Sequence, residues 1–107
     1  MTASISPHAL SLLQDILLDI EEVQSEETAT RWHDKIFANI QQLADFPLSC
    51  PIVPLVCFCE VPPNPERLHQ LIVKPYRIVY EVVDDEVHVL SIRHGRMLVS
   101  TDDTYWN

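Results

Sequence analysis

The sequence is poor in glycine and in basic residues. Its 107 residues include one glycine, and 7 Lys and Arg side chains stand against 16 Asp and Glu, which gives a formal charge of −9. General nucleic-acid binders present an excess of Lys and Arg to the phosphates, so this balance argues against that class. Any contact with nucleic acid is therefore expected to be local or indirect.

Cysteine is also scarce, and long apolar runs are missing. Cys50, Cys57 and Cys59 are odd in number and match no recognised disulfide framework, which favours a reduced, cytoplasmic protein. The first seven residues lack the basic and apolar stretches of a secretory signal, and no segment approaches the roughly 20 apolar residues that a membrane span needs. We therefore expect no membrane association.

The composition is that of an ordinary globular protein. Apolar residues make up 47% of the chain and charged residues 21%, which excludes a disordered tail or a coiled coil. A chain of this length has room for one modest core. We expect residues 1–107 to form a single domain.

Two helices are predicted in the first half of the chain. Ser6 and Pro7 suit a helix start, because serine caps the free amides and proline at the first helical position loses no hydrogen bond. Apolar residues at three- and four-residue steps then predict a helix over 7–23. Ser25 caps a second helix that ends at Phe46 and Pro47. The short link predicts an antiparallel hairpin.

Strands are predicted in the second half, after a proline-rich segment over 47–65. They cover 68–74, 75–83 and 86–94, with a two-residue turn at Asp84 and Asp85. Counting outward from that turn places Arg77 opposite Ile92 and puts His94 on the same face as Arg77. The opposite face, with Tyr76, Ile78, Tyr80 and Val82, is predicted to lie under the helices.

The motifs of the second half resemble those of the ParE/RelE superfamily of type II toxins. They are P-Y-R-I-V-Y-E-V over 75–82, the acidic turn, and V-H-V-L-S-I-R-H-G-R over 87–96. The second helix ends in L-A-D-F-P over 43–47, and the order of elements also agrees. The resemblance covers residues 5–98. It implies an α+β fold with an N-terminal antiparallel helical hairpin on a small, mainly antiparallel sheet of three to four strands.

The same resemblance implies a function. Superfamily toxins are encoded beside an antitoxin that neutralises them; ParE-like members poison DNA gyrase and RelE-like members cut messenger RNA on the ribosome. The H-G-R and F-P motifs favour the ParE branch, and a chain with only Lys35 and Lys74 lacks the several lysines of RelE-like catalysis. We expect a toxin that binds its target and contacts DNA only through its antitoxin. The alternatives are a RelE-like endoribonuclease and a non-toxic binding protein of the same fold.

Several residues are candidates for the functional site. The catalytic set, should the protein be RelE-like, is Arg77, His94 and Arg96. The candidates for binding the target or partner are Leu55, Phe58, Lys74, Tyr76, Arg77, Arg93, His94 and Arg96. For Arg77 the competing interpretation is a structural ion pair with Glu81 or Asp45. For the apolar run that includes Leu55 and Phe58, it is burial against the core.

Two residue groups have the chemistry of metal ligands. Cys50, Cys57, Cys59 and His69 are of the types that bind zinc, but structural zinc sites use tighter cysteine pairs. Five carboxylates crowd the turn between the helices without the glycine and ordered spacing of a calcium loop. We therefore expect neither a metal nor a cofactor.

Overall fold

The computed structural model describes residues 2–107, in which two helices pack on one face of a four-stranded sheet. The elements are β1 (Thr2–Ile5), α1 (Pro7–Val23), α2 (Glu26–Asp45), β2 (His69–Val73), β3 (Tyr76–Val83) and β4 (Glu86–His94). The strand order is β1-β4-β3-β2, with β1 parallel to β4 and the other pairs antiparallel. The predicted α+β architecture is confirmed.

The helix boundaries follow from their caps. The Ser6 hydroxyl accepts a hydrogen bond from the Ala9 N–H at 3.0 Å, and Ser25 does the same for the Thr28 N–H at 3.0 Å. Each cap satisfies an amide that the first turn would leave free. Both predicted helix starts are confirmed, as is the end of α2 before Phe46.

Strand β1 was not predicted. It pairs in parallel with the first half of β4, from Thr2 opposite Glu86 to Ile5 opposite Val89. Four residues show too little periodicity to identify a strand, and the partner lies more than 80 residues away. The chain then turns directly into α1, with the Ser6 N–H bonded to the Val89 carbonyl at 3.0 Å.

The β3–β4 hairpin has the predicted turn but not the predicted register throughout. Asp84 and Asp85 both have positive φ, 49° and 63°, which is the conformation of a two-residue type I′ hairpin turn. The pairing follows the prediction as far as Tyr80 opposite Val89, after which a bulge leaves Leu90 unpaired.

The bulge changes which residues share a face of the sheet. Arg77 lies opposite Arg93 and not Ile92, and His94 lies opposite Tyr76. The prediction that His94 shares a face with Arg77 is therefore wrong. A single extra residue on one strand moves every later side chain of that strand to the other face.

A separate hydrophobic core lies against each face of the sheet. The first core, between helices and sheet, is formed by Ala9, Leu13, Ile36, Ile40, Leu43, Val73, Ile78, Tyr80, Val87, Val89 and Ile92. The second, on the distal face under the proline-rich segment, is formed by Val53, Phe58, Leu68, Val79, Leu90 and Val99. The bulge residue Leu90 contributes to the second core.

The single glycine lies where two segments meet. The Gly95 N–H donates to the Pro75 carbonyl at 2.7 Å, and a Cβ at this position would come within 3.1 Å of the same oxygen. Its φ is not positive. Close approach, and not backbone freedom, is therefore what requires glycine here, and it ties the end of β4 to the start of β3.

Candidate target- and partner-binding site

Arg77 lies on the distal face, half-buried, and its contacts are all with neutral groups. Nε donates to Gln70 Oε1 at 2.9 Å, Nη1 to the Met97 carbonyl at 2.9 Å and Nη2 to Cys57 Sγ at 3.5 Å. The ion pairs that residues 2–107 form within 4.0 Å do not involve Arg77. The alternative in which Glu81 or Asp45 pairs with Arg77 is therefore wrong.

Arg93 lies directly across the strand pair and has a different environment. Its Nε donates to Asp103 Oδ2 at 2.8 Å, and the Asp103 side chain is 0% exposed. The same carboxylate accepts the Ser100 N–H at 3.0 Å and lies 2.8 Å from His8 Nε2. Arg93 is thus committed to an internal ion pair that joins β4 to the C-terminal segment, and the same carboxylate contacts His8 at the start of α1.

His94 belongs to an aromatic row on the side of the sheet that faces the helices. Its ring meets the Tyr76 ring edge-on at 6.0 Å, and Tyr76 meets Trp32 at 5.2 Å. Burial, together with the Asp19 carboxylate, raises the pKa of Tyr76. His94 Nδ1 accepts the Arg96 N–H at 3.2 Å, which leaves the proton of the neutral ring on Nε2.

The catalytic set of the RelE-like alternative is therefore divided. His94 and Arg77 project from opposite faces of the sheet, so the two do not form one site around a scissile phosphate. A general base has to lie within hydrogen-bond reach of the proton that it abstracts, directly or through a water. The structure therefore separates Arg77 from His94.

The apolar run of the proline-rich segment is divided between core and surface. Phe58 is 6% exposed and belongs to the second core, whereas Leu55 is 57% and Val56 85% exposed. Lys74 and Arg96 are exposed at the end of the sheet where the Gly95–Pro75 contact joins their segments.

Comparison with known proteins identifies the family. The model of the ParE toxin of type II toxin-antitoxin systems (parDE) matches residues 3–99. The chain belongs to the ParE toxin family. Among solved structures it resembles a chain of the "Chromosomal ParDE TA system from P. aeruginosa", with 16% identity, a TM-score of 0.69, and coverage of 88% of this chain and 95% of that one. At that identity the likeness shows the fold alone. No curated protein sequence matches.

The match to the family ends at Val99, before the segment that holds Asp103. Sequence reasoning missed Asp103 and His8, because His8 lies 95 residues from Asp103 and the pairing of Asp103 with Arg93 crosses from one element to another. A local signal did exist: S-T-D-D over 100–103 has the spacing of a capped turn, and the Ser100 N–H does bond to Asp103. Nothing in that pattern points to Arg93.

The cysteines and His69 serve other contacts than a metal. His69 Nδ1 bonds to the Cys50 carbonyl at 2.9 Å, and its ring stacks on Tyr80 at 5.4 Å. The Tyr80 hydroxyl donates to the Pro47 carbonyl at 2.8 Å. Burial, followed by the neighbouring Cys50, raises the pKa of Tyr80. Within residues 2–107 no group of three or more metal-binding side chains is arranged to hold an ion.

Two further features lie outside the candidate site. A cavity of about 330 Å³ opens between the proline-rich and C-terminal segments, with Arg67, Glu81 and Tyr105 in its lining and none of the predicted site residues. In the part of the chain that is described, neither helix has the length and apolarity needed to cross a bilayer.

Proposed function

We propose that this ParE-family protein inhibits growth by binding a target such as DNA gyrase, and that a cognate antitoxin neutralises it. The family match supports the toxin role. The observation that carries the binding mode is Arg77, a half-buried guanidinium whose hydrogen bonds all go to neutral acceptors. We place this action in the cytoplasm, where gyrase and its DNA are found.

The position of Arg77 is costly for folding alone. A charge partly removed from water without a counter-charge loses some of its solvation, and neutral acceptors restore only part of that loss. Arg93 lies across the strand, but its charge is paired with Asp103 and offers Arg77 no counter-charge. An arginine kept under these conditions is better explained by a partner than by stability.

Blocking of a target fits this surface better than cleavage of RNA. Arg77 and His94 lie on opposite faces, and the sequence has only two lysines to stabilise a scissile phosphate. Surface charge also disfavours direct binding of nucleic acid. Residues 1–53 carry two basic and eight acidic side chains, so a basic edge is confined to the sheet.

A supercoiling assay with purified gyrase tests the proposal. We expect the wild-type protein to stall supercoiling and leave cleaved DNA complexes, and Arg77→Met to lose both effects. Arg67→Met is the matched control, because Arg67 is an exposed arginine outside the candidate site. Gyrase that works normally in the presence of the wild-type protein, or messenger RNA cut during translation, would contradict the proposal.

A further inference from the structure

Exposed apolar residues lie on each of the segments that contact Arg77. We call this surface the Arg77 patch; it consists of Arg77, Leu55, Val56, Ile72, Met97 and Leu98. Ile72 is the cross-strand partner of Arg77 in β2, and the Met97 carbonyl accepts one of its hydrogen bonds. Ile72, Met97 and Leu98 are each roughly half exposed.

The proline-rich segment completes the patch on its other side. Cys57 contacts the Arg77 guanidinium, and Leu55 and Val56 precede it in a single 3₁₀ turn. Reciprocal backbone bonds hold that turn beside the segment that follows β4: the Val99 N–H donates to the Cys57 carbonyl at 2.7 Å and the Cys59 N–H to the Val99 carbonyl at 2.9 Å. The patch is therefore drawn from β2, β3, the proline-rich segment and the segment after β4, which these hydrogen bonds and strand pairings hold beside one another.

The guanidinium retains unused donors. Arginine has five N–H groups, and Arg77 uses one on Nε, one on Nη1 and one on Nη2. One N–H remains on each terminal nitrogen, and two such donors match the two oxygens of a carboxylate. The three bonds already made fix the side chain, so a ligand would not have to order it.

We propose that the Arg77 patch binds a segment of the antitoxin that presents a carboxylate flanked by apolar side chains. This inference rests on the proposed function, which supplies the partner. The carboxylate neutralises Arg77, and the flanking side chains cover Leu55, Val56 and Ile72. An arginine enclosed by apolar contacts that exclude water is the usual arrangement of an interface hot spot.

The net charge of the chain limits which ligands can bind the Arg77 patch. A formal charge of −9 repels a long acidic stretch, so the carboxylate is an isolated one within an apolar segment. A nucleic-acid backbone fits less well, because a run of phosphates would meet the same repulsion and leave the apolar side chains uncovered. Lys74 and Arg96 are exposed near this end of the sheet and add local positive charge that favours a carboxylate there.

Titration calorimetry against the protein encoded by the adjacent reading frame tests the proposal. We expect Arg77→Met to weaken binding by about 30-fold or more, as loss of a hot-spot arginine does, and Val56→Asp to weaken it as well. Arg67→Met should bind as the wild type does. Circular dichroism and the urea midpoint show whether each variant is folded.

A double-mutant cycle then identifies the carboxylate. Each Asp or Glu of the antitoxin is replaced by its amide, and one replacement should weaken binding to the wild type while adding little in the Arg77→Met background. Losses that add for every carboxylate would overturn the inference. So would unchanged affinity of Arg77→Met, binding of a single-stranded 15-mer oligonucleotide that depends on Arg77, or self-association through the patch seen by sedimentation.

The proposed toxin function and the proposed antitoxin-binding patch can be refuted separately. If the neighbouring protein relieves growth arrest and binds Arg77→Met as tightly as the wild type, the patch is not its site and the proposed function stands. If induction of the wild-type protein causes no arrest and no partner binds, the proposed function fails and takes this inference with it.

Discussion

Arg93 and Arg77 are opposed residues on neighbouring strands, yet only Arg93 meets a carboxylate. Asp103 is fully buried and contacts both Arg93 and His8, so it links β4 to the start of α1. Arg77 has neutral hydrogen-bond partners and a rim of exposed apolar side chains. The two arginines therefore differ in environment: Arg93 is neutralised inside the fold, and Arg77 lies at the surface where we propose that a partner binds.

Removal of the buried carboxylate should have the largest effect. Asp103→Asn leaves Arg93 without its counter-charge, and breaking a buried ion pair from one side costs about 3 kcal/mol or more of the free energy of unfolding. Urea unfolding measures the loss. Asp102→Asn, at the exposed neighbouring carboxylate, should change little. Equal stability of the two variants would show that the Arg93 region is not held by this pair.

The next largest effect is expected at the buried hydroxyl of Tyr80, on the face of the sheet that lies under the helices. Tyr80→Phe leaves the Pro47 carbonyl without its donor, which should cost about 1–2 kcal/mol. Tyr105→Phe, at an exposed ring, is the control.

The raised pKa of Tyr80 predicts that the free energy of unfolding depends on pH. Because the pKa of Tyr80 is raised in the folded state, the unfolded chain loses that proton first as the pH rises past about 10. This contribution to stability is complete below that pH and decreases above it. Urea midpoints between pH 9 and 11 should therefore fall less steeply for Tyr80→Phe than for the wild type, and parallel curves would contradict this assignment.

A smaller effect of opposite sign is expected at the hairpin turn, away from both arginines. Asp85 has a φ of 63°, where glycine carries no steric penalty, so Asp85→Gly should raise the free energy of unfolding by about 0.5–1 kcal/mol. Asp102→Gly, at a position without positive φ, should lower it. Thermal unfolding distinguishes the two, and a loss of stability in Asp85→Gly would mean that the aspartate contributes more than its backbone conformation.

The smallest change in stability is expected at Arg77 itself. Arg77→Met loses hydrogen bonds to neutral acceptors but also loses a poorly compensated charge, so the net change should stay within about 1 kcal/mol. Arg93→Met should cost several times more, because it leaves the Asp103 carboxylate buried without its cation. Similar urea midpoints for the two variants would show that Arg77 and Arg93 contribute equally to stability, which contradicts the difference proposed between them.

Local signals in the sequence predicted the parts of the fold that depend on neighbouring residues. The serine caps, the apolar periodicity and the acidic turn gave both helices and the hairpin, since each depends on groups a few positions apart. Strand β1 and the bulge at Leu90 depend on distant pairing and packing. That is why the register, and with it the placement of His94, was wrong.

The candidate site was predictable only in part, for the same reason. Arg77 stood out as a charged residue in the middle of an apolar strand, and the family pattern includes it. Its acceptors on Gln70, Cys57 and Met97 come from three separate segments, and the partner of Arg93 lies outside its strand, in the stretch after β4. Sequence spacing could not show which of the two arginines is neutralised.

Growth after induction tests the central claim most directly, since that claim assigns Arg77 to function and Arg93 to folding. Cells expressing the wild-type protein or Arg67→Met should stop growing, whereas cells expressing Arg77→Met at equal soluble level should grow normally, with a urea midpoint near that of the wild type. Full arrest by a folded Arg77→Met variant would contradict the account, because the toxin would then act without the residue that the structure leaves without a counter-charge.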